Sequence, residues 1–120
     1  MIAKNACFPL HVRLLEPEEF KRVFTKAERS SDKYFTVLAR ENQYSHPRLG
    51  LAIAKKNIKR AVDRNKIKRS ARESFRLQQS NIISLDIIVM ARRDAEKANS
   101  KTLQASLTKH WLKLNQRCAP

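Results

Sequence analysis

From Lys59 to Gln79 the chain carries neither Gly nor Pro, and Ile67, Ala71 and Phe75 recur at every fourth position. Nothing there breaks a helix, and the apolar spacing gives a helix of roughly 20 residues one face to bury. The same region holds Lys55, Lys56, Lys59, Arg60, Arg64, Lys66, Lys68, Arg69, Arg72 and Arg76 against only Asp63 and Glu73. Ten bases less two acids leave +8 of the chain's formal +15 between Lys55 and Arg76. Charge so dense and one-signed has to face water or a polyanion, which makes RNA or DNA the favoured partner class.

The length of 120 residues suits one domain, 1–120, with short tails at about 1–6 and 116–120. A second catalytic domain has no room. An apolar share of 42% is enough for a folded core, so disorder is the wrong expectation. Cys7 and Cys118 lie near opposite ends, without a CxxC pair or a His at ligand spacing, and read as free thiols rather than a zinc site. No apolar run reaches the ~18 residues of a membrane span, and none near the N-terminus leads into a small-residue cleavage site. A cytoplasmic protein is expected.

Along the chain, Pro17 opens a first helix with Glu16, Glu18 and Glu19 near its positive end and Phe20, Val23, Phe24 and Ala27 at helical spacing. After a polar stretch, Arg29 to Lys33, the segments Tyr34–Glu41 and Leu49–Ala54 read as two strands about the turn residues Ser45, His46 and Pro47. Asp86–Ala91 reads as a buried strand through Ile87, Ile88, Val89 and Met90. A last helix starts near Asn99 or Ser100 and carries Leu103, Leu107, Trp111 and Leu114 on one stripe. A further strand in Cys7–Leu15 rests on Val12 and Leu14 alternating with His11 and Arg13. The order implies an α+β fold, an α/β sandwich on a small sheet. Within Tyr34–Glu41, period two sets Tyr34 and Thr36 on one side and Phe35 and Val37 on the other, without saying which is buried.

On the long helix, steps of 100° bring Asn65, Lys68, Arg69, Arg72 and Arg76 into one band beside Ile67, Ala71 and Phe75. Arginine forks bond phosphate oxygens bidentately, and Asn65 suits a base edge, a ribose hydroxyl or a phosphate. A merely solvated face would mix signs for i,i+4 pairing, and this one hardly does. Phe20 and Phe24 share one side of the first helix, where core packing competes with a stacking surface for unpaired bases. No catalytic constellation is evident. Asp63, Glu73 and Asp86 are scattered, and His11, His46 and His110 have no ligand or triad spacing and read as surface or interface residues.

The string Ala61-Val-Asp-Arg-Asn-Lys-Ile-Lys-Arg-Ser-Ala-Arg-Glu-Ser-Phe-Arg76 closely resembles the signature of the bacterial ribonuclease P protein subunit. Arg48-Leu-Gly-Leu-Ala-Ile-Ala-Lys-Lys56 resembles that family's strand before the helix, and Phe20-Lys-Arg-Val-Phe24 its first-helix pattern. The likeness spans Leu14 to Trp111. It implies a two-layer α/β sandwich with a small mixed sheet, about three helices and a left-handed βαβ crossover, against the usual right-handed rule. It also implies a subunit that joins a catalytic RNA and assists endonucleolytic removal of the 5′ leader of precursor tRNA. Hydrolysis, with its Mg2+, would belong to the RNA, and the protein would bind no cofactor and supply no catalytic residue.

Carried over by position, Arg64, Asn65, Lys68, Arg69 and Arg72, with Lys66 and Arg76 on the same helix, would meet the catalytic RNA. Phe20 and Phe24 would line the leader cleft, flanked by Lys55 and Lys56. Two departures stand out. The family's Arg-Asn-Arg is Arg64-Asn65-Lys66 here, keeping charge without the fork at Lys66. Ser70 and Ala71 replace bulkier apolar residues, which predicts looser packing under the helix. The competing reading is a structural RNA-binding protein of ribosomal type, which would show no preference for leader-bearing tRNA. A DNA-binding regulator comes third, lacking helix-turn-helix spacing.

Overall fold

The computed structural model describes Arg13 and residues 16–119. In chain order these form α1 (Pro17–Thr25), β1 (Glu28–Ser31), β2 (Phe35–Glu41), β3 (Arg48–Ala52), α2 (Ala61–Gln78), β4 (Leu85–Ala91) and α3 (Ser100–Cys118), with single 3₁₀ turns at Gln79–Asn81 and Arg93–Lys97. The strands make one mixed sheet in the order β1-β2-β4-β3. β1 and β4 run antiparallel to β2, while β3 lies parallel to β4. The unit β3-α2-β4 is therefore a crossover, and the long basic helix is its connection.

Alternation along β2 decides which side is covered. Phe35, Val37 and Ala39 pack with Ile87 and Val89 of β4, Ile67, Ala71 and Phe75 of α2, and Leu103, Leu107, Trp111 and Leu114 of α3. Leu38 and Ile88 point the opposite way and meet Val23 of α1, with Phe20, Ala52 and Met90 partly buried around them. The sandwich thus has α2 and α3 on one face, and α1 lying across part of the other. Full burial of a ring such as Phe35 or Phe75 contributes about 1.5–3 kcal/mol, so most of the fold's driving force is on the α2/α3 side. Tyr34 escapes the alternation because β2 begins one residue later, and its ring packs against the larger core.

α2 and α3 run side by side in the same direction. Lys66 Nζ donates to the Ala98 carbonyl at 2.9 Å, Gln104 Nε2 to the Ser70 carbonyl at 3.0 Å, and Trp111 Nε1 to Ser74 Oγ at 2.8 Å, in step along both helices. The small residues are what this approach needs. Ser70, Ala71 and Ser74 are all buried, and Trp111 stands edge-on to Phe75 with ring centroids 6.2 Å apart. The looseness expected from Ser70 and Ala71 is not seen. Asn99 caps α3, its side chain accepting from Thr102 N–H at 2.8 Å.

Two sequence expectations need adjustment. An edge strand, β1, overlaps the polar stretch at 29–33; its residues are mostly exposed and are held by backbone pairing to β2. α3 continues through Gln116 and Arg117 to Cys118, into the segment read as a tail. The strand at Cys7–Leu15 lies outside the described residues except Arg13, which bridges Leu49 in parallel.

Candidate nucleic-acid interface

α2 turns its apolar stripe to the sheet, and the opposite side is left for the bases. Asn65, Arg69 and Arg72 are exposed there, with Lys68 half-buried, and Arg76 is bonded to Glu73 at 2.8 Å. Two other residues of the predicted set are turned to internal partners. Arg64 donates to the carbonyls of Ile58 and Lys59, at 3.0 and 2.8 Å, holding the turn that precedes the helix. Lys66 is committed to Ala98, as above.

On the other face, α1 covers only part of the sheet and leaves an open cleft of about 480 Å3. Phe24, half exposed, forms one wall; Thr36, Leu38 and Met90 form the floor; Arg29, Asn57 and Arg92 stand at the margin. Phe20 is more deeply set, packed on the Val23, Leu38 and Ile88 cluster. Lys55 and Lys56 are exposed in the turn between β3 and α2. Asn57, which follows the two lysines and itself borders the cleft, pins that turn to the end of β4, donating to the Ala91 carbonyl at 3.2 Å. Asn57 and Arg92 were invisible to motif reading: each sits at a strand end or turn where no spacing rule applies, although an arginine closing an apolar strand was a usable hint. A larger hollow of about 600 Å3 lies at the opposite end of β2. Its Glu28 and Glu41 offset part of the charge of Arg22, Lys26, Arg40 and Arg117, and Arg40 is bonded to the Arg22 carbonyl at 2.7 Å.

Several acids are engaged inside the protein. Asp86, fully buried on β4, receives Nε and Nη2 of Arg48 at 2.8 and 2.7 Å and Nδ2 of Asn42 at 2.9 Å, while Arg48 Nη1 reaches Glu19 at 2.7 Å. Its hydrogen bonds to Asp86, opposed by burial and helped by Glu19, raise the Arg48 pKa further. His110, expected as a surface or interface residue, is buried between β1 and α3. Its Nδ1 lies 2.7 Å from Ser30 Oγ, and its Nε2 lies 3.3 Å from Asp32 Oδ2. Burial lowers the His110 pKa in spite of Asp32. Burial also opposes ionisation of Asp32, but hydrogen bonds from the Ser106 hydroxyl and the Phe35 and Tyr34 amides outweigh it and bring its pKa down to about 2. Ser30, His110 and Asp32 are residue types of a nucleophilic triad, yet Ser30 and His110 are 3% and 2% exposed, so they staple β1 to α3 rather than meet a substrate. Among the described residues no three of His, Cys, Asp and Glu come together as metal ligands.

A basic helix face and an aromatic-walled cleft are joined by a lysine-bearing turn, and comparison decides the family. The ribonuclease P family model matches residues 8–115. The chain belongs to the ribonuclease P protein family. It is 54% identical over 112 residues to the ribonuclease P protein component of Methylococcus capsulatus, covering 93% of this chain and 88% of that one. To its counterpart in Aliivibrio fischeri it is 46% identical, covering 93% and 96%. The solved RNase P protein of Staphylococcus aureus superposes with a TM-score of 0.78 at 38% identity over 85% of this chain and 93% of that one. The Thermotoga maritima protein gives 0.76 at 29% identity, over 84% and 96%.

As a ribonuclease P protein, the chain is a subunit of an endoribonuclease holoenzyme of tRNA processing, and ribonuclease P RNA is the partner that membership implies. The ribosomal-type and DNA-regulator readings are set aside. Among the described residues no helix is long and apolar enough to cross a membrane.

Proposed function

We propose that the two faces of the sandwich hold two different RNAs: the cleft between α1 and the open sheet face takes the 5′ leader of precursor tRNA, and the exposed side of α2 takes the catalytic RNA. The observation that carries this reading is the chemical contrast between them. The cleft has Phe24 over an apolar floor of Leu38 and Met90, which suits unpaired bases, with Arg29, Arg92, Lys55 and Lys56 near enough for the phosphates. α2 offers Asn65, Arg69 and Arg72 as donors with no aromatic among them, which suits the backbone of a folded RNA. Arg64 and Lys66 support that face from beneath.

Hydrolysis and its Mg2+ are assigned to the RNA, as the likeness to the family implies; Asp86, Glu73 and Asp63 each face an arginine of the protein. The protein binds and orients in this scheme, and its place of work is the cytoplasm. The test is cleavage of a leader-bearing precursor tRNA by ribonuclease P RNA at low Mg2+, with and without the purified protein, alongside binding of precursor and mature tRNA by the assembled holoenzyme. Rescue of cleavage at the mature 5′ end, with tighter binding of the precursor, is expected. Equal affinity for the two tRNAs would sink the leader-cleft reading.

A further inference from the structure

At the opposite end of β2 from the aromatic cleft, the loop after Glu41 carries an aromatic ring that the core does not use. Tyr44 is 51% exposed. Beneath it the Arg48 guanidinium lies 4.2 Å from the ring centroid, a cation–π distance. Arg48 is itself 7% exposed and fixed by Asp86 and Glu19, so the ring rests on a rigid support. The loop is fixed as well, since Tyr44 N–H donates to Asn42 Oδ1 at 2.9 Å and Asn42 Nδ2 donates to Asp86. The His46 ring, 5.8 Å away and tilted by 30°, extends the aromatic surface. Beside Tyr44 lies a hollow of about 460 Å3, bordered by Glu19, Arg22, Gln43 and Arg48.

We infer that Tyr44 is a stacking platform for one unpaired RNA nucleotide, with Gln43 at hand for the base edge and, for the flanking phosphate, the exposed part of Arg22, whose guanidinium also reaches Asp86 at 3.5 Å and the Glu41 carbonyl at 3.4 Å. A π-face presented at fixed orientation loses little freedom on binding, and any base can occupy it. The site is separate from the cleft: from Thr36 to Glu41 the strand alone spans about 17 Å. It rests on the functional reading above, because the nucleotide comes from an RNA of the holoenzyme.

The experiment measures affinity at one salt concentration for ribonuclease P RNA alone and for a single-stranded leader oligonucleotide, with wild-type, Tyr44→Ala and Tyr44→Trp proteins, each checked by thermal melting. Tyr44→Ala is expected to weaken binding of one of the two RNAs about tenfold, the size of one base stack, with Tyr44→Trp restoring it. The RNA affected identifies which strand supplies the nucleotide. Wild-type affinity of Tyr44→Ala for both RNAs overturns the platform while leaving the functional reading intact, as does a loss that Tyr44→Trp fails to restore. Wild-type protein that binds neither RNA overturns the functional reading and the platform with it.

Discussion

Arg48 and Asp86, 38 residues apart in sequence, meet through two parallel hydrogen bonds of 2.8 and 2.7 Å inside the sheet. The parallel register of β3 and β4 sets them directly opposite one another. Glu19 joins from α1, so a single buried arginine ties the first helix to two strands. Removing one partner of such a pair leaves the other charge buried and unmatched. Asp86→Ala is therefore expected to cost about 3–5 kcal/mol in chemical denaturation, and Glu19→Gln, at a partly exposed partner, clearly less. A loss below about 1 kcal/mol for Asp86→Ala would show that water reaches the pair.

His110 gives stability a dependence on pH. Its folded pKa lies below the ordinary value, chiefly because burial disfavours the imidazolium. The unfolded chain then takes up the proton first as pH falls, so stability is full above about pH 6.5 and declines below it. Lys113 pushes the same way, while Asp32 opposes. Urea melts between pH 7.5 and 5 should show that decline in the wild type, and a shallower one in His110→Asn. Parallel pH profiles in the two proteins would remove His110 as the source. Asp32 adds a separate loss at lower pH, between its unfolded value of 3.8 and about 2.

The basic residues of α2 are not equivalent in the structure. Arg69 and Arg72 are exposed, whereas Lys66 is spent on the Ala98 carbonyl. Replacing Arg69 and Arg72 with Ala should weaken binding to the catalytic RNA and flatten the log–log salt slope by about one unit per lost phosphate contact. Lys66→Ala should leave that slope nearly unchanged and act on the α2–α3 junction, lowering the melting temperature. A salt slope altered as much by Lys66→Ala as by either arginine variant would place Lys66 at the interface instead.

What could be read from the sequence followed periodicity. Ile67, Ala71 and Phe75, and Leu103, Leu107, Trp111 and Leu114, announce α2 and α3 because each helix buries one stripe and leaves the rest polar. β1 gave no such sign: Glu28, Arg29 and Ser31 are exposed, and the strand exists through hydrogen bonds with β2 that no side chain advertises. The outward face of α2 follows from 100° steps, and so does the displacement of Lys66 from it. The partners of Lys66, Arg48 and His110 do not, since each is set by how separate elements come to rest on one another. The family signature, rather than spacing, carried the functional reading of Phe20 and Phe24, and the structure then distinguishes the two.

Phe24 is half exposed at the cleft wall, while Phe20 is packed with Val23, Leu38 and Ile88. Truncating Phe24 removes little buried area, so Phe24→Ala should melt within about 0.5 kcal/mol of wild type, as surface substitutions do. If its ring stacks on a leader base, the same variant should lose about 1–3 kcal/mol of precursor binding while mature tRNA binding is unchanged. Phe20→Ala should lower stability as well, because its ring helps seat α1 on the sheet, and any loss of leader affinity there will be mixed with movement of the helix. Measuring precursor and mature tRNA affinity together with the thermal midpoint for both variants separates the roles. Undiminished precursor binding by a stable Phe24→Ala protein would take the exposed ring out of the leader site.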